Sequence, residues 1–222
     1  MAVEIFAQIC VCGSKFEPDH QMTCCQGGFI SHRHNELRDL TAALMKKICT
    51  DVSTEPELQP VSGEDLPRSA NAADATRLDI RARGFWNCSA QDAFFDVRVF
   101  HPFAPTYRSS SLASIYRQHE RKKKNEYGAR VKEIEHGCFT PLVFSTSGGM
   151  GREATMVFKK LAALIADKSG ENYSVTMGWI RSKISFSLLR SSLLCLRGGR
   201  SKGHDLKDTC IAIASAEANV RH

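Results

Sequence analysis

A chain of 222 residues and 24.6 kDa has room for one domain with a small appendage, and it can bury a core without disulfide staples. Hydrophobic residues at 42% and charged residues at 24% exclude wholesale disorder. The net charge of +6 permits an anionic partner such as nucleic acid without demanding one.

No apolar run approaches the roughly 18 residues of a membrane span, so no membrane partner is expected. The best stretch, residues 185–196, carries Arg190 in its middle. The N-terminus lacks a basic region and carries Glu4, so it does not read as a signal peptide. The nine cysteines are an odd number and mostly scattered, which fits a reducing compartment. The expected location is therefore nuclear or cytoplasmic.

Residues 1–34 form a Cys/His-rich, knuckle-like segment. Leu37, Leu40, Leu44 and Ile48 then fall on one stripe, which predicts an amphipathic helix over 35–50. Residues 51–75 hold Pro, Gly and acids and read as a surface loop with room for one short extended piece. Residues 76–83 and 93–100 alternate apolar and charged side chains and read as strands, joined most simply as a hairpin. Two prolines make 101–110 irregular. A highly charged helix follows from about Leu112 to Glu135, then a short apolar strand at 139–147. Gly148–Gly151 turn the chain into a helix with Ala154, Val157, Phe158, Leu161 and Ile165 on one face. A last helix, from about Val175 to Leu196, carries Met177, Ile180, Ile184 and Leu188. The tail 198–222 is Gly-rich, then polar, and is expected to be loosely held. The predicted class is α/β, a small mixed sheet flanked by helices, with the main domain over 35–197.

Four constellations carry chemistry. Cys10-x-Cys12-x7-His20-x3-Cys24 pairs two close thiolates with a His and a Cys, a donor set that suits structural Zn2+. Cys25 is an alternative fourth ligand. Asp79 and Asp96 each sit among apolar strand residues, where charges are rare unless paired or metal-bound. A hairpin would bring them to one end of the sheet as a Mg2+ site acting on a phosphodiester. Strand alternation also accounts for them as solvent-facing positions. Arg117, Arg121, Lys122, Lys123, Lys124, Arg130 and Lys132 make the charged helix basic, with Tyr116, His119 and Tyr127 beside them. That mixture suits a phosphate backbone, or a solvated helix face. Residues 172–204 contain Arg181, Lys183, Arg190, Arg197, Arg200 and Lys202 and no acid, which reads as a second candidate nucleic-acid surface or as a balance to acids elsewhere on the fold. The glycines at 148–151 match neither phosphate-loop spacing, so a tight turn is their expected role. No serine-hydrolase elbow or zincin motif is present.

The order of these parts resembles the C-terminal end of site-specific non-LTR retrotransposon proteins, where a Cys-Cys-His-Cys knuckle precedes a restriction-like endonuclease of the PD-(D/E)xK superfamily. The likeness runs from Cys10 to about Lys168. It implies a restriction-endonuclease-like fold and a Mg2+-dependent DNA endonuclease, with zinc held by Cys10, Cys12, His20 and Cys24. Asp79 and Asp96 would be the catalytic acids. Lys124 and Tyr127 would match a Lys-x-x-Tyr pattern of the following helix, and Glu36 would be a third carboxylate from the first helix. Arg98, Arg121, Lys122, Lys123 and Arg130 would grip the strand. DNA is the implied partner, with RNA and a reverse transcriptase in cis or trans as further ones. Leu78 stands where the family has Pro. Arg98 stands where the superfamily has Lys, and its guanidinium stays protonated. An inactive nucleic-acid-binding module is the alternative expectation.

Overall fold

The computed structural model describes residues 9–59, 77–86 and 91–198. Cys88, the part of the expected surface loop beyond residue 59, and Arg200 and Lys202 of the expected tail lie outside the described residues.

The architecture is mixed α/β. Four strands form one sheet in the order β1 (Val52–Thr54), β2 (Ile80–Arg83), β3 (Asp92–Phe100), β4 (Cys138–Ser145). The first two pairings are antiparallel and β3–β4 is parallel. The predicted hairpin is therefore β2–β3. β1 is the short extended piece expected in the loop after the first long helix.

Helices cover both faces of the sheet. A short α1 (Pro18–Thr23) starts on Pro18, whose missing N–H costs nothing at a first helical position. α2 (Phe29–Met45) follows Gly28, whose φ of 68° suits glycine. It begins earlier than the stripe suggested, so the 34/35 boundary cuts a continuous helix. α3 (Leu112–Glu133) starts where the Ser111 side chain caps the Ser114 amide. α4 (Arg152–Ser169) ends on Gly170 in the left-handed region, and α5 (Tyr173–Arg197) starts from the Asn172 cap. A single 3-10 turn, Pro105–Tyr107, lies in the proline-rich link.

α2, α4 and α5 share one core with the sheet. It contains Leu37, Leu44, Phe95, Phe144, Phe158 and Ile180, all at 2% exposure or less. Each such fully buried side chain contributes about 1.5–3 kcal/mol of transfer free energy. α3 covers the other face through two smaller clusters, Leu78, Phe94, Tyr127 and Val131, and Phe100, Ile115, Tyr116 and Val143. β3 is thus buried on both sides, and that sandwich positions the site.

Candidate active site and metal centre

Successive side chains of a strand point to opposite faces. On β3, Ala93, Phe95, Val97 and Val99 join the main core, while Phe94 and Phe100 meet the α3 clusters. Asp96 and Arg98 have the parity of Phe94 and Phe100, so they face α3. On the neighbouring strand Ile80 pairs with Phe95, which brings Asp79, one residue earlier, level with Asp96. The Asp79 amide donates to the Phe95 carbonyl at 3.1 Å, extending the ladder by that residue.

Each acid has a basic neighbour. Asp79 Oδ2 accepts from the Val97 amide and lies 3.0 Å from His34 Nε2 on α2. Lys123 Nζ, from α3, donates to Asp96 Oδ1 at 3.2 Å and lies 3.1 Å from Oδ2. That second contact is ionic only, and the buried Oδ2 has no hydrogen-bond donor. Burial, joined by the charge of Asp79, pushes the Asp96 carboxyl up to about 6 against the pull of Lys123 and His34. Burial opposes charge on His34, but the Asp79 hydrogen bond and charge outweigh it and raise the imidazole above its ordinary value.

These groups line a cavity of about 600 Å³ between α2 and α3. Tyr127 stands beside Lys123, whose Nζ is 5.1 Å from the ring centroid. Burial and the acids Asp96 and Glu126 raise the Tyr127 phenol. Arg98 and Lys122 also line the cavity, as does His119. Burial and the charges of Arg98, Lys122 and Lys123 push His119 down to about 4.

Several expected site residues are elsewhere. Lys124 does not reach the acids: its Nζ bonds Glu153 at 2.6 Å, because the residue after Lys123 is rotated by about 100° around the helix. Glu36 faces α5 and accepts from Ser191 Oγ at 2.9 Å, so it is no third carboxylate of the cleft. Arg121 lines a separate groove with Ser114, Arg117 and Gln118. Arg130 donates to the Gln59 carbonyl at 3.0 Å. Lys123 is therefore the lysine that the structure brings to the acids. His34, which carried no sequence signal beyond lying two residues before Glu36, is the α2 residue that meets Asp79.

The Cys/His cluster gathers as its spacing predicted. Cys10 Sγ and Cys24 Sγ are 3.7 Å apart, and Cys12 Sγ is 3.3 Å from His20 Nε2. All four ligand atoms lie within 4.8 Å of one another, and Cys25 is not among them. Three thiols and one imidazole at that spacing suit a tetrahedral ion such as zinc. Hydrogen bonds from Ser14 already hold the Cys12 thiol down at about 6. Among the described residues this is the only group of three or more metal-binding side chains gathered so closely. Asp79, Asp96 and His34 do not close to that degree.

The glycine turn before α4 is also settled. Glu120, buried on α3, accepts from the Glu153 amide at 3.0 Å through Oε1, replacing the side-chain cap that Gly151 cannot supply. A Cβ at Gly151 would run into that carboxylate, and one at Gly149 into the Tyr116 hydroxyl. A carboxylate thus takes the helix amide that a phosphate would have used.

No helix is long and apolar enough to cross a membrane among the described residues. No protein-family model matches the chain, and no curated protein matches it in sequence.

Proposed function

We propose that the chain is a metal-dependent DNA endonuclease of the restriction-like PD-(D/E)xK kind, related to the C-terminal part of non-LTR retrotransposon proteins. The observation that carries this reading is the meeting of Asp79 and Asp96, on adjacent strands, with Lys123 from the next helix in one cleft. The sequence order of acid strand, acid strand and lysine helix becomes a spatial cluster.

Asp79 and Asp96 would hold Mg2+. Asp96 Oδ2 accepts no hydrogen bond and has only the ionic contact of Lys123 at 3.1 Å, which leaves lone pairs to offer a metal ion. Bound there, Mg2+ would activate water and stabilise charge on the leaving oxygen. His34 fixes the orientation of Asp79. Lys123, held by Asp96 and steadied over the Tyr127 ring, directs a positive charge at the place where a phosphate would lie. Arg98 and Lys122 would take the flanking phosphates. The zinc knuckle would add a second contact to nuclear DNA, with an RNA and a reverse transcriptase as further partners.

A non-hydrolytic nucleic-acid-binding module is the second reading. Two observations favour it: each acid is already matched to a basic side chain, and Glu36 faces away. Plasmid nicking separates the two. Zinc-loaded protein is incubated with supercoiled DNA and Mg2+ or Mn2+, beside Asp79→Ala and Asp96→Ala. Nicking by the parent that both substitutions abolish is the expected result. DNA bound but never cut would leave the binding module.

A further inference from the structure

We propose that the outward face of α5 is a docking surface for single-stranded nucleic acid, on a different face of the molecule from the cleft. α5 buries Met177, Ile180, Ile184 and Leu188 in the main core. At 100° per residue, the opposite side of the helix presents Val175, Trp179, Phe186 and Leu189. They are 64%, 40%, 70% and 56% exposed, which leaves two aromatic rings open to solvent. α5 has no Asp or Glu along its 25 residues, but it has Arg181, Lys183, Arg190 and Arg197.

Charges gather at the Trp179 ring. Lys183 Nζ lies 5.0 Å and Lys47 Nζ 5.6 Å from the Trp179 ring centroid. Lys168 Nζ donates to the Lys47 carbonyl at 2.7 Å and brings a third cation to the same end of the helix. Glu171, just ahead of the helix, is engaged by the buried Thr176. An anion is therefore the complement of this face.

The partner class follows from the pattern of large and small residues. Next to and between the rings the exposed side carries Gly178, Ser182 and Ser185. These interruptions prevent the continuous apolar face that an interfacial helix inserts into lipid, and the unbroken seam that a partner helix packs against. Isolated rings beside cations are instead the elements that hold single strands, a ring stacking on a base while ammonium groups meet phosphate. Gly178 leaves the helix surface beside Trp179 bare, since a Cβ there would meet nothing within 4 Å. Trp179 and Phe186 are two helical turns apart, about 10 Å along the axis, so each ring addresses its own base. Duplex bases are stacked inside and cannot be reached in this way.

The test uses the full chain with zinc retained and no other divalent ion, so it does not depend on nuclease activity. The chain has two tryptophans, so Trp86→Phe leaves Trp179 as the sole reporter. Oligo-dU and oligo-rU, which differ in the sugar alone, are titrated, with duplex DNA and anionic phospholipid vesicles as separate arms. Quenching of Trp179 by either oligonucleotide, weakening as salt rises, is expected, and the stronger of the two identifies the sugar. Trp179→Ala with Phe186→Ala should weaken single-strand binding roughly tenfold or more, with circular dichroism and duplex binding unchanged. Ser182→Glu with Ser185→Glu should weaken it too without removing a ring. The proposal fails if Trp179 ignores both oligonucleotides, if both double variants bind like the parent, or if only the vesicles shift its emission.

Discussion

Asp96 is a carboxylate held where burial disfavours its charge, and this has a measurable consequence. Its carboxyl moves from 3.8 in a free chain to about 6 in the fold, so the folded state holds a proton that the unfolded state has lost between those pH values. Folded stability from this group therefore falls as pH rises through that window, by about 1–3 kcal/mol. His119 works in the opposite direction. Its imidazole moves from 6.5 to about 4, so the unfolded chain binds the extra proton and stability is lost as pH falls below 6.5. The two slopes oppose each other between about pH 4 and 6. Metal-free Asp96→Asn, which keeps an acceptor for Lys123, should be more stable than the parent above pH 6. It should also show a rising stability through pH 4 to 6.5 where the parent is nearly flat. Thermal melts across that range check both. A parent that already gains stability steeply there would refute the assignment to Asp96.

On α3, adjacent lysines have different tasks. Lys123, Tyr127 and Val131 are spaced four apart and face the sheet, while Lys124 reaches over to Glu153 on α4. If the cleft cuts DNA, Lys123→Ala should lower nicking by roughly a hundredfold or more, and Lys124→Ala should leave it within a few-fold. Equal losses would mean that the helix is phased otherwise in solution. The same helix caps its neighbour. Glu120→Ala removes the acceptor at the start of α4 and should cost about 1–2 kcal/mol in denaturant unfolding, as loss of an N-cap does. The sequence showed the lysine run and the Tyr but could not phase them. A basic run looks the same from every side, and only the packing of Tyr127 and Val131 against Phe94 and Leu78 fixes the rotation. Glu120 was hidden for a similar reason, as one acid among many charges on a helix. Its neighbour in space, Gly151, is 31 positions away in sequence.

The knuckle is tied into the rest of the molecule. Met22 and Phe29 pack on Leu194 and Cys195 of α5, and a Cβ at Gly198 would strike the Phe29 ring. Arg33, 2% exposed, donates from Nη2 to the Met22 carbonyl at 3.2 Å, and His101 Nε2 lies 3.0 Å from Asp19. Ligation of a metal by four side chains between residues 10 and 24 would supply much of the order of a segment with so little core of its own. Chelation of zinc should therefore speed amide exchange over residues 9–28 and at the last turns of α5, while β3 and β4 keep their protection. Cys24→Ser should reproduce that pattern and Cys25→Ser should not, because only Cys24 is turned into the cluster. Exchange that stays slow after chelation would show that packing alone holds the knuckle.

The sequence by itself determined the local and periodic features. Helix stripes, strand alternation, the β2–β3 hairpin and the donor spacing at Cys10, Cys12, His20 and Cys24 all follow from interactions within short stretches of chain. Those are the features a linear pattern records. Only the tertiary structure decided which groups meet across long separations. It chose Lys123 over Lys124 and Cys24 over Cys25, turned Glu36 toward Ser191, and set His34 against Asp79, 45 residues away. The reason is geometric: helix rotation and strand register are fixed by the summed burial of many apolar side chains. A polar residue therefore arrives at a partner that its own neighbours in sequence do not specify.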